Sequence, residues 1–402
     1  MVNDKSIKIS FWNYVKSGVF KKEQVKIWKE LGFNLPMSFL YEDGVSDKRD
    51  MLDILDECEK LGLKLIVCDD RTLYKTRLKK GKEEFLLGVK AAAKDFGNHP
   101  ATYGFFVGDE PDCSEKEQSA FIEAINALKA ECPDLTPYGN LLPYFAGSDF
   151  QMLTGRNCEF FNGLLENMIK QTNSKVVSFD VYTQCLQQDY NVQAGIDSYY
   201  YILDRFVEEC KKHGADLWIS LLCVGHWMYR VPDEDDIRWQ IYTALAHGAR
   251  GFVWFYLYHR VAGTSYRNSP LLGDGLKTET FEILKRQHYI FDKFYADIFA
   301  KIEMEKVFHT GHIYDPAKRF CEDDTVKALC GRNPYPTILT YYREFESGDR
   351  WISVVNAHQR FSNQITLTFA KSLKEVTFWL APGEMRLFKL KDVDQIEWRE
   401  SE

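Results

Sequence analysis

Long apolar stretches are missing from this 402-residue sequence. No apolar run approaches the roughly 18 residues that a membrane-spanning helix needs. The amino-terminal MVNDKSIKIS also lacks the apolar segment of an export signal. We therefore predict a cytoplasmic protein with no membrane partner.

Clustered positive charge is missing as well. The formal net charge is -8, and the longest basic cluster, Lys79, Lys80 and Lys82, is short and lies beside acidic residues. Such a charge distribution does not attract polyanions. No nucleic-acid partner is expected.

Several signatures of reactive cysteines and metals are also missing. The ten cysteines form no CxxC pair, and Cys68 and Cys223 lie in apolar segments where a thiol packs as a small hydrophobic group. This usage fits a reducing cytoplasm better than a disulfide scaffold. The sequence has no HExxH, HxH or GxSxG motif. We predict neither a metal nor a cofactor, and a metal site assembled from distant acids stays open as the alternative.

Aromatic residues, by contrast, are abundant, at 15% of the chain. They have two interpretations, which the sequence leaves open. They fill a core, or they form flat surfaces that stack against a ligand such as a sugar ring.

Strand-like apolar segments alternate with helical segments over about 250 residues, which is typical of parallel βα units. Eight such units favour a (β/α)8 TIM barrel. An open doubly wound sheet is the alternative, but no GxGxxG turn follows the first strand. The predicted strands are IKISFWNYV (7–15), FNLPMSFL (33–40), LKLIVCDD (63–70), TYGFFVGDEP (102–111), TPYGNLLP (136–143), VVSFDVYT (176–183), LWISLLCVG (217–225) and GFVWFYLYH (251–259).

The pattern changes near residue 305 from helical to alternating. The strand-like segments TILTYYREF, RWISVVNA, NQITLTF, EVTFWLA and EMRLFKL follow, separated by polar turns. We predict a barrel domain at 1–305 and a small antiparallel β-sandwich domain at 306–402.

Polar residues that end the apolar segments are the candidates for a site, because active sites of such barrels lie at the carboxyl ends of the strands. Acids and aromatics dominate among them, and two carboxyl groups are what cleavage of a glycosidic bond requires. By strand periodicity, Trp254 and Tyr256 share one face of the eighth strand, as barrel core or as a stacking surface. The residues at strand ends are Asn13, Tyr14, Glu42, Asp43, Asp69, Asp70, Asp109, Glu110, Asn140, Asp180, Tyr182, His226, Trp227, Tyr256, Tyr258 and His259.

Asp109 and Glu110 are adjacent in the sequence GDEP. If both are extended, their side chains point to opposite faces of the strand. Pro111 favours an extended Glu110, because proline disfavours helical geometry in the residue before it. Glu110 would then need a carboxylate partner from another strand.

The GDEP segment resembles the end of the fourth strand in clan A glycoside hydrolases. Further segments in the same order resemble β-galactosidase-like barrel hydrolases: TPYGNLLP, VVSFDVYT, DEDDIRWQIYTALAHGARGFVWFYLYH, GDGLKTETFEILKRQ and WLAPGEMRLFKL. The resemblance covers most of the chain. It implies a glycosidase with a carbohydrate substrate and with Glu110 as general acid/base.

One departure concerns the second carboxylate. The nucleophile of clan A enzymes follows strand seven, where this sequence reads LWISLLCVGHW and has no acid. Asp180 is the predicted partner of Glu110, with Asp70, Asp109 and Glu42 as alternatives. A degenerate hydrolase that only binds carbohydrate stays open, as does a homo-oligomer. The residues predicted to bind substrate are Asn13, Asp70, Asp109, Asn140, Tyr182, His226, Trp227, Trp254 and Tyr256.

Overall fold

The computed structural model describes most of the chain. The described residues are 5–16, 18–19, 21–142, 158–188, 191–260, 265–273, 275–314, 317–391 and 395–397. None of the helices in these ranges is long and apolar enough to cross a membrane.

Eight parallel strands form a nearly closed barrel, which confirms the predicted fold. Hydrogen-bonded neighbours run in the order β1-β8-β7-β6-β5-β4-β3-β2. A bond of 3.1 Å from the Leu35 backbone N–H to the Ile9 carbonyl connects the two ends of the sheet. The strands are β1 (Lys8–Phe11), β2 (Met37–Tyr41), β3 (Leu65–Asp69), β4 (Thr102–Asp109), β5 (Tyr138–Leu141), β6 (Val176–Asp180), β7 (Asp216–Leu222) and β8 (Gly251–Phe255).

Helices alternate with these strands, and several begin at the caps that their sequences predict. Asp233 and Asp236 form a reciprocal capping box at the start of one helix, and the Ser114 hydroxyl accepts from the Glu117 N–H at the start of another. The helices are α1 (Gln24–Glu30), α2 (Lys48–Lys60), α3 (Tyr74–Lys80), α4 (Lys82–Ala92), α5 (Glu115–Glu131), α6 (Cys158–Thr172), α7 (Val192–His213), α8 (Glu234–Ala246), α9 (Glu279–Phe291) and the short α10 (Asp297–Phe299).

Aromatic side chains fill much of the barrel interior. Tyr138 and Trp218 lie with ring centroids 5.5 Å apart, and Trp12 meets Phe106 edge-on at the same distance. The Trp12 indole N–H donates to the Ser220 hydroxyl at 3.0 Å, which satisfies its polar group inside the barrel. Part of the aromatic excess therefore serves as core.

The carboxyl-terminal domain consists of two antiparallel sheets that pack face to face. Apolar residues of both sheets, such as Ile365 and Ile352, form one buried cluster between them. The five strands predicted here are confirmed, and the predicted boundary at residue 305 falls inside an additional strand, β9. The strands are β9 (Ile302–Thr310), β10 (Val326–Gly331), β11 (Thr337–Glu344), β12 (Arg350–Asn356), β13 (Asn363–Phe369), β14 (Glu375–Leu380), β15 (Met385–Lys391) and β16 (Gln395–Glu397).

The two domains are joined by buried hydrogen bonds around α8. The Trp239 indole N–H donates to the Ala357 carbonyl at 2.8 Å, and the Thr340 hydroxyl donates to the Ala246 carbonyl at 2.9 Å. The imidazoles of His247 and His309 meet at the same boundary, with their Nε2 atoms 3.3 Å apart. This contact holds the end of α8 against β9.

Buried histidines should make the fold sensitive to acid. Burial lowers the pKa of His247 and of His288 to about 4, and it also lowers the pKa of His309. In the unfolded chain a histidine binds its proton near pH 6.5, so stability is lost as the pH falls from 6.5 towards 4. Each such group contributes up to about 1.4 kcal/mol per pH unit.

Urea unfolding at pH 7, 6 and 5 measures this effect. We expect these three histidines together to lower the free energy of unfolding by up to about 3 kcal/mol per pH unit, while the raised pKa values of Asp109 and Asp180 act in the opposite direction. His288→Gln should show a shallower dependence on pH, because it lacks one of the titrating groups. The same dependence on pH in wild type and in His288→Gln would contradict the prediction.

Candidate active site

Carboxyl groups from two strands meet at the carboxyl-terminal face of the barrel, where active sites of this fold lie. Asp109 ends β4, Asp180 ends β6, and Asn140 lies on β5 between them. The Asn140 side-chain nitrogen donates to Oδ1 of Asp109 at 3.1 Å and to Oδ1 of Asp180 at 2.8 Å. These two oxygens are therefore within about 6 Å of each other. We call Asp109, Glu110, Asn140 and Asp180 the acid cluster.

Two hydroxyl groups support Asn140 from inside the barrel. The Ser178 hydroxyl donates to Asn140 Oδ1 at 3.0 Å, and the Tyr138 hydroxyl lies 3.1 Å from Ser178 Oγ. Asn140 is buried, at 1% exposure. Both of its N–H donors and its oxygen are used within the protein, so its amide orients the acids.

Glu110 faces the same site as Asp109, although extended geometry predicts opposite faces. That expectation is wrong because Glu110 adopts a left-handed conformation with φ of 45°. The register of β4 against β5 also shifts between Phe106 and Gly108. Gly108 has φ of 140°, and a Cβ there would lie 2.3 Å from the Tyr74 ring. The bulge and the left-handed turn together bring both acids to the barrel mouth.

The crowding of three carboxyl groups raises their affinity for protons. Burial, and then the charge of Glu110, raise the pKa of Asp109 to about 7. Burial raises the pKa of Glu110, and burial together with the charges of Glu110 and Asp109 raises the pKa of Asp180 well above its usual range. A hydrogen bond from Asp180 to Glu110 lowers the pKa of Glu110, against the effect of burial. The same bond raises the pKa of Asp180 further. Two carboxyl groups in such contact favour holding one proton between them, because both cannot easily be ionised together.

Three phenol groups border the acid cluster. Burial and the charge of Asp180 raise the pKa of the Tyr182 and Tyr229 hydroxyls. Burial and the charges of Asp109 and Asp180 raise the pKa of Tyr14 well above 10.0. All three phenols remain neutral hydrogen-bond donors near neutral pH.

Aromatic rings continue from the acids to the rim of the barrel. His226 contacts Tyr182 on one side, at 6.1 Å between ring centroids, and stacks on Tyr266 at 5.5 Å on the other. Burial lowers the pKa of His226 to about 4, so its imidazole is neutral. Tyr256 is buried 5.8 Å from the Tyr14 ring, whereas Trp227 is 62% exposed beside His226.

Three residues that were predicted to bind substrate make their described contacts outside the acid cluster. Trp254 is fully buried and donates to His288 of α9 at 2.8 Å, so it faces the helix layer. It does not share a surface with Tyr256, because β8 ends at Phe255 and the strand alternation ends with it. The Asn13 side chain is used in the loop after β1, where it donates to the Met37 carbonyl. Asp70 accepts from the Asp43 backbone N–H, and its described contacts do not include the acid cluster.

Other residues near the acids were not predicted. The charge of Lys75, on α3, opposes the rise in the pKa of Asp109 and of Glu110. Ser178 precedes Asp180 by two residues, so it lies on the same face of β6. That spacing was the available sequence signal for Ser178. Lys75 lies one residue into a helix, and no local pattern marks it.

The described residues show no alternative constellation of metal ligands. Among them, no group of three His, Cys, Asp or Glu side chains could hold a metal ion. A cleft of about 700 Å³ lies between α8, α9 and the β-domain, and none of its lining residues belongs to the acid cluster. The position of the carboxyl groups, rather than the size of a cleft, therefore locates the candidate site.

A TIM barrel followed by a β-sandwich, with acids at the mouth of the barrel, is an arrangement found in glycoside hydrolases. No protein-family model and no curated protein matches the chain. Similar solved structures include β-galactosidases from Marinomonas ef1 (TM-score 0.54, 12% identity, 73% of this chain and 62% of that chain) and from Halorubrum lacusprofundi (0.51, 11%, 71% and 58%). A candidate α-L-fucosidase from Bacteroides thetaiotaomicron VPI-5482 is similar as well (0.51, 12%, 72% and 96%).

These neighbours confirm the predicted resemblance at the level of the fold. The chain spans less than two thirds of the length of either β-galactosidase but nearly all of the α-L-fucosidase candidate. All three neighbours are described as glycosidases. Their identity of 11 or 12% carries no residue assignment to this chain.

Proposed function

We propose that this protein is a glycosidase that hydrolyses an O-glycosidic bond, with Glu110 as general acid/base and Asp180 as its carboxylate partner. The observation that supports this best is the hydrogen-bonded contact between the two carboxyl groups at the barrel mouth. Glycoside hydrolysis uses one protonated and one ionised carboxyl group. A pair that shares one proton has that state of ionisation.

The short contact favours retention of configuration at the sugar carbon. Inverting enzymes separate their carboxyl groups by roughly 6.5 to 9.5 Å to leave room for water, whereas in retaining enzymes the separation is about 5 Å. The hydrogen bond between Glu110 and Asp180 brings their carboxyl groups closer than the separation of inverting enzymes, which supports retention. In the first step Glu110 would protonate the departing oxygen while Asp180 bonds to the sugar carbon. In the second step Glu110 would take a proton from the water that releases the sugar.

The remaining residues around the acids fit contacts with a sugar. Glu110 lies within the site, where burial raises its pKa, but it keeps more solvent-accessible surface than Asp180, so substrate would enter past Glu110. Asp109 is proposed to bind a sugar hydroxyl through the oxygen that Asn140 does not occupy. The rings of Tyr182, His226 and Trp227 are proposed to pack against the sugar faces. Tyr256 is proposed to support this surface through its edge-on contact with the Tyr14 ring.

A panel of 4-nitrophenyl glycosides tests the proposal. We expect turnover of at least one glycoside, with the first-formed sugar keeping the anomeric configuration of the substrate when followed by proton NMR. Turnover should survive exhaustive treatment with a chelator. Activity that is lost on chelation would instead indicate a metal-dependent hydrolase.

The same panel separates the proposal from a protein that only binds carbohydrate. That alternative is motivated by β7, which ends at Leu222 and is followed by Cys223 and Val224 rather than by an acid. It predicts sugar binding with no turnover of any glycoside. Inversion of configuration, on the other hand, would retain the enzyme but remove Asp180 as the group that bonds to sugar.

A further inference from the structure

The Asn140 side chain uses all of its hydrogen-bonding groups within the protein, which is not expected of a residue that binds substrate. Its two N–H donors go to two different carboxylates, and its oxygen accepts from Ser178. A flipped amide would instead point its oxygen at Asp109 and Asp180, which would require a proton on both facing oxygens. The bond from Ser178, in addition, favours the orientation observed.

This orientation restricts where a proton can lie. The Oδ1 atoms of Asp109 and Asp180 accept from the Asn140 N–H groups, so they are the less favourable places for a proton. A proton on Asp180 is then favoured on its other oxygen, from which it can be donated to Glu110.

We propose that Asn140 is a positioning residue that fixes the proton shared by the catalytic pair between Glu110 and the second oxygen of Asp180. Its catalytic consequence rests on the proposed function. Protonation of the departing oxygen requires this proton to move from Asp180 to Glu110. Asn140 favours that transfer, because its N–H bond stabilises the ionised Asp180 that remains. No atoms are gained or lost, since the proton only changes oxygens within the pair.

The proposal predicts the effect of removing the amide. In Asn140→Ala both aspartates lose an N–H donor, so each should hold its proton more tightly. A hydrogen bond to a charged group corresponds to a shift of about one pH unit or more. The pH–rate profile should therefore move upward by about one pH unit, and kcat should fall.

Ser178→Ala is a second variant that leaves Asn140 in place. It removes the bond that orients the amide oxygen, so it should produce a smaller upward shift. Ser220→Ala is the matched control, because Ser220 is also a fully buried serine inside the barrel, and its hydroxyl accepts from Trp12 rather than from Asn140. Thermal unfolding of each variant shows whether it is folded.

Carbon-13 NMR of labelled aspartate and glutamate carboxyl groups gives a readout that does not need activity. We expect the titrations of Asp109 and Asp180 to move upward in Asn140→Ala, less in Ser178→Ala, and not in Ser220→Ala. Unchanged titrations in both of the first two variants, or an equal shift in Ser220→Ala, would overturn the proposal. If Asn140→Ala does not fold, Ser178→Ala decides alone. If wild type turns over no glycoside, the proposed function fails while the NMR result still tests Asn140.

Discussion

Replacing Glu110 with glutamine should lower kcat by about 10² to 10⁴ for a glycoside whose departing group needs protonation. The amide has nearly the shape of the acid but cannot transfer the shared proton. Glu110 keeps solvent-accessible surface at the barrel mouth, and its backbone N–H, rather than its carboxyl group, donates to the Asn140 carbonyl at 3.0 Å. The substitution should therefore leave the fold and its free energy of unfolding largely unchanged.

The dependence on the departing group makes this test specific. A 2,4-dinitrophenyl group departs without protonation, so the variant should lose much less activity on that glycoside than on a methyl or 4-nitrophenyl glycoside. Asp70→Asn is the matched control, because Asp70 is also an acid at a strand end but contacts the loop after β2. A loss below tenfold on every substrate, or an equal loss in Asp70→Asn, would contradict the role of Glu110.

The architecture was predictable because its signals are local. Each barrel strand is a short apolar segment that ends in polar residues, and helix ends are marked by Gly32, Gly62 and Gly248, which all have positive φ. All eight predicted strands exist, with ends shifted by a few residues. In the β-domain, β9, β10 and the short β16 were missed. β9 is half-buried on both of its faces, so it lacks a clear alternation of apolar and polar residues.

The site was less predictable because it depends on how backbone turns aim the side chains. Glu110 was expected to be extended, but the bulge in β4 and its left-handed φ turn it towards Asp180. The side-chain alternation of a strand predicted that Trp254 and Tyr256 share a face. That alternation does not reach Tyr256, because β8 ends at Phe255. The role of Asn140 needs contacts across three strands, which no spacing within one strand reveals.

Asp180→Asn should be as damaging as the change at Glu110, with a loss in kcat of roughly 10² to 10⁴ or more. Asparagine resembles the protonated form of Asp180. Its oxygen can accept from Asn140, and its N–H can donate to Glu110, so the fold should be preserved. It cannot bond to the sugar carbon, and it holds Glu110 ionised. The variant therefore removes both the nucleophile and the proton of the pair.

Chemical rescue distinguishes these two losses. In Asp180→Ala, added azide can attack the sugar carbon from the side left open, and the expected product is a glycosyl azide of inverted configuration. Asp109→Ala is the comparison variant, because Asp109 also bonds to Asn140 but is proposed to hold a sugar hydroxyl. It should change kcat/KM without giving a glycosyl azide. A rate of Asp180→Asn within tenfold of wild type would remove Asp180 from the mechanism, and the same azide product from Asp109→Ala would transfer the role of nucleophile to Asp109.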